Sequence, residues 1–136
     1  MRIGLDFDNT LVSYDALFHR VASERNLIPK ELPATKLSVR NYLRQAAQED
    51  SWTELQGYVY GARMSEAEAY PGALDFLRCT SSLGAQLYIV SHKTRRPFLG
   101  PPYDLHEAAL HWIRQTLVKS GVSLVSEGNV FFELTK

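Results

Sequence analysis

The chain has 136 residues, of which 45% are hydrophobic, and its 15 basic residues balance its 15 acidic ones. That length suits one domain, and zero formal charge argues against a polyanion-binding surface, since nucleic-acid binders carry a basic excess. The single cysteine, Cys79, excludes an internal disulfide framework and suits a reducing compartment. No uncharged run is long enough for a membrane span and no basic-then-apolar leader opens the chain, so the expectation is a soluble cytoplasmic domain without nucleic-acid or membrane partners.

The opening Met1-Arg2-Ile3-Gly4-Leu5-Asp6-Phe7 is too short for a helix before polar turn chemistry begins, and reads as a strand arriving at an acid. From Ser13 to Tyr70 the spacing turns helical. Leu17, Phe18, Val21 and Ala22 mark a first helix, stopped by Pro29. Thr35 caps a second whose apolar face holds Val39, Tyr42, Leu43, Ala46 and Ala47. Ser51 and Glu54 have the spacing of a capping box and open a third with Trp52, Leu55 and Val59. No strand is expected in this stretch, and Leu17, Phe18, Tyr42 and Trp52 read as packing residues.

After Tyr70-Pro71-Gly72 the pattern becomes regular α/β alternation. A helix with Ala73, Leu74, Leu77 and Cys79 ends near Gly84, a left-handed stop. Gln86 to Ser91 reads as a buried strand. A loop over 92–103 leads to Asp104, which caps a helix with Leu105, Ala108, Ala109, Trp112, Ile113 and Leu117, closed by Gly121. A last strand runs from Asn129 to Glu133. This order implies a Rossmann-like parallel sheet with right-handed crossovers. Ligands of such sheets bind beyond the carboxyl ends of the strands, which singles out Asp6 to Thr10 and Ser91 to Thr94.

Asp6-Phe7-Asp8-Asn9-Thr10 sets two carboxylates two residues apart at a strand end. Like charges so close raise one pKa or demand a cation, and oxygen ligands of this kind suit Mg²⁺, which takes one or two carboxylates with water and substrate phosphate. A neutralised aspartate attacks phosphorus as a nucleophile, and a second acid protonates the leaving oxygen and later activates water. His92, Lys93, Arg95 and Arg96 make the later loop locally basic, suited to collecting an anion. His19, His106 and His111 have no zinc-ligand spacing and read as structural.

The Asp6-to-Thr10 string resembles the first motif of the haloacid dehalogenase-like (HAD) hydrolase superfamily, a strand ending in Asp-x-Asp-x-Thr. The resemblance implies that Asp6 is nucleophile and metal ligand, that Asp8 is the acid/base and gives its backbone carbonyl to Mg²⁺, and that Thr10 helps to fix the turn. An acid at position 8 implies phosphate esters, whose alkoxide leaving group needs a proton. Ser91 stands where the second motif places a phosphate-binding hydroxyl, a role that suits transition-state charge. Asn9 joins it as a phosphate contact, Lys136 is the candidate for the third motif's charge-offsetting lysine, and Thr10, His92 and Lys93 are candidate substrate contacts. The implied division is an α/β core of 1–12 and 70–136 around a helical cap of 13–69, which excludes water and selects the substrate.

The family's fourth motif, an acid ending a further strand, has no counterpart: a helix, a strand and their connections need about 20 residues, and only four follow Phe132. The sheet is therefore expected to be truncated after its third strand, the first strand an exposed edge completed by a homodimeric partner or a missing C-terminal segment. The expected function is a weakened Mg²⁺-dependent phosphatase acting on a small phosphorylated metabolite through an aspartyl-phosphate. The alternative is a catalytically silent phospho-ligand-binding or assembly module of the same fold.

Overall fold

The chain's structure is a computed structural model that describes residues 1–120 and 127–133. Its elements are β1 (Arg2–Leu5), β2 (Val12–Ser13), α1 (Asp15–Glu24), α2 (Lys36–Gln45), α3 (Glu49–Gly61), β3 (Glu68–Ala69), α4 (Ala73–Ser82), β4 (Gln86–His92), α5 (Leu105–Trp112) and β5 (Val130–Glu133). The architecture is mixed α/β, with a three-stranded parallel sheet in the order β1-β4-β5. Leu5 pairs with Ile89, and Ile89 with Val130, so the three carboxyl ends lie side by side.

The pleat of β4 decides what faces inward. Leu87, Ile89 and Ser91 are buried, and the same alternation continues to Lys93 beyond the strand, whereas Val90 and His92 are exposed. Ile3 and Leu5 of β1 pack against the same core, and Phe7 just beyond meets Trp112 of α5 edge-on at 5.5 Å. The Trp112 indole donates to the Ala67 carbonyl at 2.8 Å, tying α5 to the segment before β3. The other face is open among the described residues, with Val90 47% and Phe131 44% exposed.

The helical stretch between β1 and β4 is closed at its root by β2 and β3, a two-residue antiparallel ribbon pairing Val12 with Ala69. The helical periodicity of the stretch hides this ribbon, because two residues are too few to show a strand's alternation. β1 also stops at Leu5 rather than Phe7, since the Phe7 carbonyl turns to accept the Thr10, Leu11 and Val12 amides at 3.4, 3.0 and 3.2 Å.

Thr35 caps α2 as expected, its Oγ1 accepting the Ser38 amide at 3.0 Å, and Asp104 caps α5 by accepting the Glu107 amide at 3.0 Å. The capping box at Ser51 and Glu54 is not used: α3 begins two residues earlier, at Glu49, with no side-chain cap. Ala47, left-handed at φ 57°, ends α2 with the Gln48 amide on the Leu43 carbonyl at 2.8 Å, so the next helix starts at once. Glu49 and Asp50 then supply the negative charge favoured in a first turn.

Gly84 takes the left-handed conformation expected at the end of α4, with φ 81°. Of the residues assigned to packing, Leu17, Phe18 and Trp52 are buried, but Tyr42 is only partly covered; Cys79 lies in α4 as expected and is exposed. Past Trp112 the last helix widens into a π-helical stretch, Ile113–Val118, and Asn129 belongs to a 3₁₀ turn before β5. Gly121 lies outside the described residues. No helix among those described is long and apolar enough to cross a membrane.

The helices meet the later loop through a notch on α3. A Cβ on Gly57 would stand 2.6 Å from Pro97 Cβ and 3.3 Å from the Leu99 carbonyl oxygen, and one on Gly61 2.5 Å from Tyr103. Glycine to alanine inside a helix ordinarily stabilises by about 0.5–1 kcal/mol. Here the contact with Pro97 reverses the sign, and Gly57→Ala is expected to destabilise by about 1–3 kcal/mol. Thermal denaturation checks this: the midpoint falls by several degrees, and a rise would show that the 97–99 segment yields freely.

Candidate active site

The turn after β1 carries Asp6 and Asp8 outward at the carboxyl end of the sheet, and each meets a partner from the end of β4. Ser91 Oγ donates to Asp6 Oδ1 at 2.8 Å, and the Phe7 amide donates to the same oxygen at 2.8 Å. Lys93 Nζ lies 3.3 and 3.4 Å from the two Asp8 carboxylate oxygens. Ser91 and Lys93 are two residues apart, so the pleat points both to one side, beneath the two acids. Asp6 is exposed, whereas the Asp8 side chain is 25% and the Lys93 side chain 4% exposed.

The Asp8 carboxylate accepts a second, short hydrogen bond from the Tyr14 hydroxyl. Tyr14 is fully buried, and its pKa stands well above the ordinary phenol value because of burial first and the Asp8 charge next. Tyr60 packs edge-on against Tyr14 at 5.0 Å and is raised for the same two reasons. The Tyr60 ring is near two ammonium groups: Lys93 Nζ is 4.8 Å and Lys36 Nζ 5.3 Å from its centroid, and Lys36 also donates to its hydroxyl oxygen at 2.6 Å. Burial lowers the Lys36 pKa, partly opposed by the attraction of Asp8. The Lys93 backbone is fixed as well, because His106 Nε2 donates to its carbonyl at 2.6 Å.

Asp6, Asp8 and Ser91 come together as their spacing predicts. Asn9 is left-handed at φ 61° and lines a cleft beside the turn. The Thr10 side chain is exposed and makes no hydrogen bond among the described residues; the turn is held by the Phe7 carbonyl and by the Asn9 amide donating to the Val12 carbonyl at 2.9 Å. His92 belongs to β4 rather than to the loop, and points to the face opposite Ser91. Lys93 is no exposed collector of anions: it is buried against Asp8. Arg95 and Arg96 remain exposed and pair with Asp104 at 3.3 and 3.9 Å. Lys136 lies outside the described residues.

Tyr14, Tyr60 and Lys36 were not legible as site residues, because the sequence shows them only as parts of helical patterns. The exposed Asp6 carboxylate suits Mg²⁺ in kind, since that ion takes as few as one carboxylate with water and substrate phosphate, whereas the Asp8 carboxylate is engaged by Lys93 and Tyr14. Among the described residues no group of three His, Cys, Asp or Glu side chains forms a larger metal cage.

Two predictions follow the charges. Asp8→Ala strands the buried Lys93 ammonium and should cost about 2–4 kcal/mol, whereas adding Lys93→Met recovers much of that loss; urea denaturation of the four members of the cycle reads the coupling, and additive losses would deny it. The raised phenols act at high pH. Above about pH 10 the unfolded chain releases phenolic protons that folded Tyr14 and Tyr60 retain, so stability falls as pH rises. Tyr14→Phe and Tyr60→Phe should flatten this alkaline loss in denaturation curves between pH 9 and about 11.

No protein-family model, no curated protein and no solved structure matches this chain.

Proposed function

We propose that the chain is a HAD-like, Mg²⁺-dependent phosphatase acting on a small phosphate monoester, its helical stretch of residues 13–69 serving as a cap over a core of 1–12 and 70–136. The observation that carries this reading is the hydrogen bond of 2.8 Å between Ser91 and Asp6, which joins a hydroxyl donor and an accessible carboxylate at adjacent strand ends. A phosphoryl group seated there meets a nucleophile and an oxygen-binding donor together, as phosphoryl transfer requires.

In the proposed reaction an Asp6 carboxylate oxygen attacks phosphorus, and the bond to the ester oxygen breaks. The departing alkoxide takes a proton from the Asp8 carboxyl group, the proton that the water step of the preceding turnover left there. The Asp8 carboxylate then accepts a proton from a water that attacks phosphorus, the bond to Asp6 breaks, and phosphate leaves with Asp6 regenerated. With phosphate seated, Ser91 turns its one hydroxyl proton from Asp6 Oδ1 to a phosphoryl oxygen. Lys93 supplies fixed positive charge beside the two acids, the part that the resemblance gave to Lys136. Tyr14 holds the Asp8 carboxylate in place. Mg²⁺ would be held by the Asp6 side chain and, as the resemblance implies, the Asp8 backbone carbonyl, and when bound supplies charge neutralisation between carboxylate and phosphate.

A second reading is favoured by one observation. Lys93 and Tyr14 compensate Asp8 from within the chain, so the acid pair is held without a metal. That suits a silent phospho-ligand-binding module of the same fold. Beryllium fluoride separates the two: Mg²⁺-dependent trapping follows from a nucleophilic Asp6, and metal-independent binding of phosphate esters alone follows from a module.

Phosphatase assays with Mg²⁺ on simple phosphate monoesters test the proposal. Asp6→Asn should reduce release of phosphate to background, and Ser91→Ala should lower kcat by about 10²-fold. Equal rates for wild type and Asp6→Asn would remove the enzymatic reading.

A further inference from the structure

Beside the Asp8 turn a cleft of about 400 Å³ opens between the turn and the helices, with Asn9 in its wall. Lys36, Arg40 and Arg44 line it at four-residue intervals along one face of α2. Two acids also line it, and both are engaged. Glu49 forks with Arg44 at 2.9 and 3.2 Å, and Asp15 accepts the Lys36 backbone amide at 2.9 Å.

Arg40 differs from its neighbours on the stripe. Its Nε is buried without a hydrogen-bond partner, and no carboxylate pairs with its guanidinium among the described residues. Leaving such a donor unpaired is unfavourable, and a planar guanidinium is shaped for the oxygens of a carboxylate or phosphate. Lys36 has a hydroxyl and two aromatic rings for company but, among the described residues, no carboxylate within hydrogen-bonding distance, and burial already disfavours its charge. Both side chains line the cleft, so an anion entering it would meet positive charge that no carboxylate already pairs among the described residues. The buried Trp52 forms an aromatic part of the wall, suited to covering a carbon chain.

We propose that the cleft lined by Lys36 and Arg40 binds a second anionic group of the substrate, a carboxylate or a further phosphate, carried on the same small molecule as the scissile phosphate at Asp6 and Ser91. This inference rests on the phosphatase reading and narrows it to doubly anionic phosphate esters. Asn9 joins the two halves, because it follows Asp8 in the turn and lines the cleft. Arg40 is a specificity residue in this arrangement and takes no part in bond-making.

The test compares alkyl phosphates with ω-carboxyalkyl phosphates and α,ω-bisphosphates of two to six carbons, all with Mg²⁺. Calorimetry with the corresponding phosphonates gives a readout that needs no turnover. Wild type should favour the doubly anionic series in kcat/KM and in affinity by about 10- to 100-fold. Which of the two doubly anionic series is favoured identifies the second group. Arg40→Gln should collapse the preference, and Arg40→Lys should restore part of it, with circular dichroism reporting the fold of each variant. Equal handling of singly and doubly anionic compounds by wild type overturns the inference, as does a preference untouched by Arg40→Gln in a folded variant. Should Arg40→Gln not fold, the wild-type preference and Arg40→Lys decide. Turnover of simple esters with no preference refutes the second-anion site alone. Phosphonate binding that shows the preference, with no ester hydrolysed, refutes the phosphatase reading and leaves the anion site standing.

Discussion

Two carboxylates held at the tip of one edge strand repel each other, and the arrangement around them answers that repulsion. Asp6 accepts from two neutral donors, the Ser91 hydroxyl and the Phe7 amide, while Asp8 faces the Lys93 ammonium and accepts a hydrogen bond from the Tyr14 hydroxyl. The Lys93 ammonium, nearly excluded from solvent, in turn depends on Asp8 and on the faces of Phe7 and Tyr60. Neither member of that pair is well placed without the other.

This dependence binds the helical stretch to the sheet. Tyr14 precedes α1 and Tyr60 sits near the end of α3, yet both meet around the charges at the ends of β1 and β4. The aromatic cluster continues through Phe18 to Trp52, which brings the wall of the cationic cleft into contact with the packing behind the acids. On the far side the α3 glycines let the 97–103 segment approach closely, an arrangement that any side chain at Gly57 or Gly61 would push apart. The helices therefore act on the site through packing as well as through the groups they present to it. In the proposed phosphatase, this is how a cap would shape the pocket beside the reacting atoms.

The balance of charge also bears on how the site treats ligands. Asp6 remains open to solvent with only neutral partners, whereas Asp8 is anchored. In the proposed reaction an incoming phosphoryl group would find one carboxylate exposed to it and one fixed in orientation, a division that suits nucleophile and proton carrier respectively. The cations of α2 stand apart from this pair and are linked to it through Tyr60, so positive charge is available without cancelling the acids.

The alternation of apolar and polar runs determined the parallel sheet and the order of its elements, because hydrophobic periodicity and turn chemistry are local properties. For the same reason Asp6, Asp8 and Ser91 were legible: a polar residue directly after a buried strand has only one end of the sheet to occupy. Thr35 and Asp104 were legible as caps, since a cap acts within one turn. The partners were not. Lys93 looked like one basic residue among several in a loop, and only the continued pleat of β4 turned it inward to Asp8. Tyr14 and Tyr60, 46 positions apart, and the Lys36–Arg40 stripe acquire meaning only when α1, α2 and α3 pack together. The ribbon of β2 and β3 likewise pairs residues more than fifty positions apart over too short a length to leave a pattern. Residue type and short spacing placed the reactive groups; tertiary packing decided which charges they face, because burial and Coulomb attraction depend on distance through space rather than along the chain.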